Sequence, residues 1–414
     1  DLRSKTKSIE REEEVHRVQI LDPATGTGTF LAEIVRQVYN KFTGQQGIWN
    51  NYVETHLLPR LNGFELLMAS YAMAHLKLDL ILSETGFKPT INQRLRIYLT
   101  NSLEEYHPDT GTLLANWLST EANEANGIKR DTPVMVILGN PPYSVSSTNK
   151  SKWIEKLMID YKKELNERNI QPLSDDYLKF IRFGEYYINK NGNGILAYIS
   201  NNSFIDGIIH RQMRKTLLNS FDSIYILNLH GNTKKGEKCP DGSTDQNVFD
   251  IMQGVSINIF IKRGIVKNRD AQIFQFDLYG TRQSKYDYLT NNTLNNIPWN
   301  NINPIKPYFY FVKKDFDGIE KYESGFSIDS LFEKNSVGIV TSKDAILIST
   351  SKADLKNKVT NTYNIEYKES LVRRISYRTF DEQYIYYDNN LVDRAREKLM
   401  KHLFFDNIAL VTPK

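Results

Sequence analysis

The sequence predicts an α/β protein built on a mostly parallel, twisted sheet, followed by a smaller mixed, β-rich C-terminal region. Three observations point there. Short apolar runs alternate with amphipathic helical stretches over about the first 265 residues, the pattern of strands joined by helical crossovers. Beyond that point helical periodicity fades, and short aromatic strands and Asn-rich turns such as NNTLNNIPWNNIN (291–303) take over. The chain is also long enough for two or three domains, with 414 residues of which 40% are hydrophobic.

Taken in order, RVQILD (17–22) reads as a strand and TFLAEIVRQVYNKF (29–42) as a helix, its apolar residues recurring at helical spacing. LNGFE (61–65) is a short strand and LLMASYAMAHLKLDLILSE (66–84) a helix. RLRIYLT (94–100) and VMVILG (134–139) are the next strands. SKWIEKLMIDYKKEL (151–165) and DDYLKFIRFGEYYINK (175–190) are helical. GILAYIS (194–200), SIYILNL (223–229) and VSINIFIKR (255–263) complete the strands. The change in texture places a domain boundary at 275/276.

The formal charge of +4 permits a nucleic-acid partner without requiring one. A single cysteine, Cys239, excludes an internal disulfide framework and suits a reducing, cytoplasmic setting. No run of 18 apolar residues and no charged-then-apolar leader is present, so neither a membrane span nor a signal peptide is expected. The first residue is Asp1, and Lys414 follows what reads as a strand, NIALVT (407–412). Both ends are expected to be cuts within a longer chain.

In a parallel sheet, ligands gather beyond the C-terminal ends of the strands. After the first strand comes DPATGTGTF: Asp22, Pro23, Ala24, Thr25, Gly26, Thr27, Gly28, Thr29 and Phe30. Its glycines let backbone pass close to a ligand, and the helix behind them offers free N–H groups. A dinucleotide fingerprint would want a glycine where Leu31 stands, and no Lys-Ser/Thr pair marks a triphosphate loop. After the second strand comes Glu65, able to accept hydrogen bonds from both hydroxyls of a ribose. Asn101, Ser102 and Leu103 follow the third strand, within reach of an adenine edge. The fourth ends in Asn140-Pro141-Pro142-Tyr143. Each feature alone has a plain reading as a turn or a helix N-terminal charge. Together the four strand ends suit an adenosyl ligand and its reaction.

DPATGTGTF followed about 115 residues later by NPPY resembles the gamma class of adenine-N6 DNA methyltransferases. The wider chain resembles the methyltransferase and target-recognition part of the single-polypeptide restriction–modification enzymes of types ISP and IIG. The similarity continues through QNVFDIMQGVSINIFIKR (246–263) and VRRISYRTFDEQYIYYD (372–388). The resemblance implies a Rossmann-like S-adenosylmethionine-dependent methyltransferase fold over residues 1–275, with its N-terminal part cut away. Residues 276–414 are then a linker and the start of a DNA target-recognition domain. The cofactor would be S-adenosylmethionine, held by Asp22, Pro23, Ala24, Thr25, Gly26, Gly28, Phe30, Glu65, Asn101, Ser102, Leu103 and Asn140. The partner would be double-stranded DNA, and nuclease and ATP-dependent motor domains are expected elsewhere in the full-length chain. Two departures stand out. The first cofactor motif of the gamma order is not visible, and Asn101 occupies a position where the family usually has Asp.

The implied chemistry gives NPPY its meaning. Asn140, Pro141, Pro142 and Tyr143 form the catalytic stretch. The Asn140 side-chain oxygen and the Pro141 carbonyl receive the two hydrogens of an exocyclic amine, which favours a pyramidal nitrogen and stabilises its developing charge. The prolines hold that carbonyl rigidly. Tyr143 offers a stacking face to a base that has left the duplex, with Phe249 opposite. No metal is needed. An amino-methyltransferase acting on protein glutamine or RNA guanine, or a DNA cytosine-N4 methyltransferase, are the alternatives. Asp22-Pro23, Asn140 and the long C-terminal region favour adenine in DNA.

The remaining features are read more plainly. Phe260 is a core residue in mid-strand, and His75 a helix residue with a satisfied nitrogen. KSIEREEEVHR (7–17) is a solvated helix face. GNTKKGEKCPDGSTDQN (231–247) is a polar loop, either a mobile surface loop or a phosphate-contacting lid. In the C-terminal third, Arg373, Arg374 and Arg378 alternate with Tyr377 and Phe380 as a candidate DNA contact. Arg394, Arg396, Lys398 and Lys401 space along an expected helix.

Overall fold

A computed structural model of the chain describes residues 5–7, 14–105, 116–144, 147–167, 169–264, 270–332 and 334–411. Two compact units result, Asp1–Lys314 and Asp315–Lys414. The first is a nine-stranded, mostly parallel sheet with helices packed on it. Its strands are β1 (Gln19–Asp22), β2 (Leu61–Glu65), β3 (Ile97–Leu99), β4 (Val134–Gly139), β5 (Gly194–Asn201), β6 (Ser223–His230), β7 (Val255–Lys262), β8 (Gln272–Asp277) and β9 (Asn300–Ile302). Their order is β9-β8-β6-β7-β5-β4-β1-β2-β3. β7 runs antiparallel to both its neighbours, β5 and β6, and β9 antiparallel to β8. The remaining pairs are parallel.

This order turns back on itself at β1, which has β2 on one side and β4 on the other. The crevice of such a sheet opens at that switch point, beyond the strand ends. Helix α1 (Thr29–Asn40) leaves β1 and packs on α2 (Met68–Glu84). Leu31, Ala32 and Val35 meet Ala74, Leu78, Ile81 and Leu82 in one apolar cluster. Full burial contributes roughly 1.5–3 kcal/mol for each large aliphatic side chain. Gly28, with φ of 78°, starts α1 in the left-handed region. A Cβ there would lie 3.2 Å from the Ala74 Cα, so glycine permits both the turn and the close helix contact.

Helices α3 (Asn116–Asp131), α4 (Lys152–Lys162), α5 (Asp176–Asn191) and α6 (Arg211–Ser220) follow. Along α5 all residues from Asp176 to Glu185 are buried, and Gly184 sits so close to Leu196 of β5 that a Cβ would come within 2.4 Å. Helix α7 (Arg282–Asn291) packs Tyr288 and Leu289 on the apolar cluster of Leu227, Leu229 and Leu278.

The second unit has its own core. A three-stranded antiparallel sheet, ordered β10 (Ile348–Ser349), β12 (Asp381–Tyr386), β11 (Val372–Arg378), carries helix α8 (Lys352–Tyr363). Ser351 caps α8 by accepting from the Asp354 N–H at 3.2 Å. Leu355 and Val359 then bury against Leu347, Tyr386 and Val392.

The expected α/β class is therefore observed, with the smaller antiparallel sheet after it. Several local expectations change. The fading periodicity after residue 265 hides β8, α7 and β9, which extend the first sheet, β8 pairing in parallel with β6. Helices α3 and α6 have no counterpart in the expected element list. Glu14–His16 forms a strand pairing with Lys5–Lys7, not a helix face; residues 8–13 lie outside the described ones. Residues 407–411 are not a strand, having no ladder partner among the described residues. The basic helix shrinks to one turn, Glu397–Met400, preceded by Arg396 with φ of 54°. Phe260 is fully buried, and His75 contacts the Ile97 carbonyl at 3.3 Å, as expected.

Candidate active site

The crevice between β1 and β4 is built on a buried carboxyl. Asp22 ends β1 with no exposure, and its Oδ1 accepts from the Ala24 N–H at 3.1 Å. Gly139, the last residue of β4, lies so close that a Cβ there would stand 2.7 Å from the same oxygen. Glycine is required by that approach. The Asp22 Oδ2 is buried with no hydrogen-bond partner. Burial pushes the Asp22 carboxyl up to about 7; the Ala24 N–H opposes this, and the nearby Glu65 adds to it.

The glycine loop is tied to the neighbouring strand ends. Thr25 donates its hydroxyl to the Asp22 carbonyl at 2.9 Å and its N–H to the Phe64 carbonyl at 3.0 Å. Gly26 donates its N–H to Glu65 Oε2 at 2.7 Å. Glu65 Oε1 accepts from Leu66 and Leu67 at 2.9 and 2.8 Å. Three backbone donors thus orient the carboxylate, and one of its four lone-pair positions is left for a ligand hydroxyl. Pro23 is buried, and its carbonyl accepts the Ser102 hydroxyl at 2.5 Å. Phe30 is half-buried in the first turn of α1.

At the end of β3, Asn101 Oδ1 accepts from the Leu103 N–H at 3.0 Å. Its amide donates to Asn149 at 3.1 Å and Glu104 at 3.2 Å. Leu103 is fully buried in the core, and Ser102 is spent on Pro23. Lys129 of α3 donates to the Asn101 carbonyl at 2.8 Å, and burial pulls its ammonium down to about 8 against the opposing pull of Glu104.

Asn140 is exposed directly beyond β4. The Tyr143 hydroxyl donates to its side-chain oxygen at 2.9 Å. Pro141 is buried and Pro142 exposed. The Tyr143 ring meets the Tyr177 ring edge-on, centroids 6.1 Å apart, and burial pushes the Tyr143 phenol well up, with Asp175 adding to it. Tyr143 and Phe249 both pack on the apolar cluster of Leu227, Leu229, Val248, Val255 and Leu278. Phe249 is half-buried, its N–H donating to Asn247 Oδ1 at 2.9 Å.

The polar loop 231–247 is anchored from inside. Asp245, fully buried, accepts from Gly231 and Gly280 at 2.7 and 2.8 Å and pairs with the buried Lys285 of α7 at 2.8 Å. His230 contacts Asp277 at 2.8 Å and Glu237 at 3.4 Å. Burial alone would lower the His230 pKa, but its bonds to Asp277 and Glu237 raise it overall.

The three arginines lie on β11 of the second unit and differ in use. Arg373 covers the Phe404 ring at 4.7 Å and donates to the Ser370 carbonyl at 2.6 Å. Arg374 and Arg378 are exposed, Arg374 paired with Glu382 and Arg378 over the Tyr377 ring. Phe380, fully exposed, sits at the hairpin tip with φ of 64°.

Two features escape the sequence reading. Leu66 and Leu67, exposed beside Glu65, offer apolar faces at the end of β2. The buried Lys179 and Asp176 of α5 organise the loop after NPPY. Leu66 and Leu67 read as the first residues of the following helix, which begins only at Met68, and Asp176 and Lys179 read as ordinary helix residues, so neither pair carries a local signal. Among the described residues, no group of three or more His, Cys, Asp or Glu could hold a metal, and no helix is long and apolar enough to cross a membrane.

Two stretches of the chain match known protein families, and its fold is similar to that of solved structures. Residues 64–234 match the model of the Eco57I restriction-modification methylase family, and residues 352–414 that of the Type ISP C-terminal specificity domain. No curated protein matches. Among solved structures, the ATP-dependent Type ISP restriction-modification enzyme LlaBIII bound to DNA is similar over 91% of this chain and 28% of its own, at 24% identity and TM-score 0.68. A nuclease-deletion mutant of the Type ISP enzyme LlaGI with a DNA substrate mimic is similar over 92% and 35%, at 21% and 0.69. The DrdV–DNA complex is similar over 91% and 41%, at 22% and 0.67. The chain thus spans less than half the length of these proteins, and the likeness to them is one of fold. The methylase and specificity-domain resemblance seen in the residues is borne out by both family models.

Proposed function

We propose that this chain is the methyltransferase and target-recognition part of a restriction–modification enzyme, and that it methylates the N6 amine of a flipped-out adenine in double-stranded DNA. The observation that carries the reading is the exposed Asn140 at the end of β4, set against the buried Asp22 at the switch point. The methylase family match over residues 64–234 supports it, as does the specificity-domain match over 352–414.

The site fits S-adenosylmethionine. An unpartnered buried oxygen on Asp22, a glycine loop, a carboxylate with one acceptor position free and exposed apolar faces at Leu66 and Leu67 suit a ligand combining cationic, hydroxyl and aromatic parts. Pro23, Ala24, Thr25, Gly26, Gly28 and Phe30 would line it, with Asn101, Ser102 and Leu103 shaping the adenine end. When bound, this cofactor supplies an electrophilic methyl group on its sulfonium.

The chain's own residues do the rest. Asn140 Oδ1 and the Pro141 carbonyl accept the two amine hydrogens of the target, so that its nitrogen lone pair is freed from the ring and the charge that develops there is stabilised. Pro141 and Pro142 fix that geometry through their locked φ. Tyr143 and Phe249, sharing one apolar cluster, enclose the extruded base. The second unit reads the DNA, with Arg374 and Arg378 toward phosphates. Nuclease and ATP-driven motor parts would lie elsewhere in the full-length protein, and the setting is the cytoplasm.

The test is expression in a host lacking adenine methylation, beside Asn140→Ala, followed by mass spectrometry of the DNA nucleosides. N6-methyladenine that depends on Asn140 supports the reading. N4-methylcytosine moves the target base. Neither product, in a protein that binds the cofactor, overturns it in favour of a protein-glutamine or RNA substrate.

A further inference from the structure

The loop that follows Tyr143 is gripped by side chains for which the transfer chemistry itself has no use. At its start, the Ser144 N–H donates to Asp175 Oδ1 at 2.7 Å, and the Asp176 N–H returns a bond to the Ser144 carbonyl at 3.3 Å. Further on, Asp176 Oδ1 accepts the Ser147 hydroxyl at 2.5 Å and the Asn149 amide at 3.1 Å. The Lys179 ammonium, 1% exposed, donates to the Ser147 hydroxyl at 2.9 Å and to the Asn149 carbonyl. Asn101, at the end of β3, then donates its own amide to Asn149 Oδ1 at 3.1 Å.

These bonds form a chain with one direction. Asp176 can only accept, which turns the Asn149 amide toward it and leaves the Asn149 oxygen facing Asn101. Asn101 must therefore present its amide, while its oxygen is held by the Leu103 N–H. A carboxylate at position 101 would meet an acceptor. The amide at position 101 is thus matched to Asn149 and, through it, to Asp176.

We propose that Asn149 and Asp176 are positioning residues for methyl transfer: they join the end of β3 to the loop behind Tyr143, fixing the catalytic stretch relative to the cofactor side of the site. This rests on the transferase reading above. Near-attack geometry is sensitive, and a shift of about 1 Å in a reacting group lowers rates by about a hundredfold. Asn101 keeps its Leu103 and Glu104 bonds when Asn149 is removed, so cofactor affinity is expected to change little.

The experiment is a rescue series on the whole chain, with unmethylated genomic DNA as substrate. Asn149→Ala is expected to lower kcat by roughly tenfold or more, with the Kd for S-adenosylmethionine within about threefold of the parent. Asn149→Asp sets two carboxylates face to face and is expected to lose as much. Adding Asp176→Asn to it sets an amide donor opposite the new carboxylate, although the Ser147 hydroxyl loses its acceptor there, and is expected to recover at least about threefold in kcat over Asn149→Asp. A residue that only stabilises the fold would lower the melting temperature and leave kcat per folded molecule unchanged. Parental kcat in Asn149→Ala, or a double variant no better than Asn149→Asp, overturns the positioning role alone. A parent protein without methyl transfer to DNA overturns the transferase reading and this role with it.

Discussion

The hydroxyl of Tyr143 donates to the side-chain oxygen of Asn140 at 2.9 Å, which places a proton on the acceptor that the proposed reaction needs for its substrate. The oxygen has two lone pairs, so the contact occupies half of its accepting capacity. Tyr143 thus has two parts with different consequences. Its ring is packed among apolar neighbours, and its hydroxyl competes with the target amine.

Tyr143→Phe keeps the ring and removes the competing donor. Transfer is expected to stay at the parental rate or rise by up to about tenfold, the range a single neutral hydrogen bond spans. Tyr143→Ala removes the stacking face and is expected to lose binding of the extruded base, about 1–3 kcal/mol by analogy with base–aromatic stacking elsewhere. Steady-state kinetics on DNA decides, and a Tyr143→Phe variant that is slow would mean the hydroxyl itself aids transfer.

Asn140→Ala removes one of two fixed acceptors. Its kcat is expected to fall by about a hundredfold to a thousandfold, the scale for one preorganised group at a charge-developing centre. Cofactor affinity should survive, because Asp22, Gly26 and Glu65 are untouched. Isothermal titration beside single-turnover kinetics separates the two effects.

Asp22 gives a pH dependence. Its folded-state pKa of about 7 lies above the ordinary 3.8, so the folded protein holds the proton more tightly. The stability from this group is complete below about pH 4 and is lost as pH rises through 7, falling by about 1.4 kcal/mol for each pH step between those values. Asp22→Asn is expected to flatten this fall between pH 4 and 8, read by denaturant midpoints. A cationic cofactor favours the ionised carboxyl, so binding at pH 6 should release protons, seen as a dependence of titration heat on buffer ionisation enthalpy.

Arg374 and Arg378 point outward from β11, whereas Arg373 is used on Phe404. Replacing either exposed arginine by alanine is expected to weaken DNA binding across sequences and to reduce the log–log salt slope by about 0.9 for each phosphate the variant no longer neutralises. Arg373→Ala is expected to lower the melting temperature of the second unit instead. Fluorescence anisotropy across a salt series and a thermal melt test the contrast.

How far the sequence could be read depends on the range of the interaction behind each feature. Residues 61–65 read as a short strand ahead of a long apolar helix pattern, and they form one, buried along its whole length. Phe260 reads as core from its place in mid-strand. Strand β8 was not legible, since it pairs with β6, some fifty residues earlier in the chain, and no local periodicity records that pairing. The six-residue stretch NIALVT has strand composition, yet a strand exists only with a partner, and residues 407–411 have none among the described residues.

The sequence by itself determined the alternation of strands and helices and the residue types at four strand ends, for these are set by side chains a few positions apart. Only the tertiary structure decided that Gly139 abuts Asp22, that Ser102 is occupied with Pro23 and that Tyr143 caps Asn140. It also decided that the amide at position 101 is matched to Asn149 and, through it, to Asp176. The physical reason is shared: hydrogen bonds and steric contacts act over about 3 Å, and residues far apart in the chain come that close only after the sheet has brought the strand ends together.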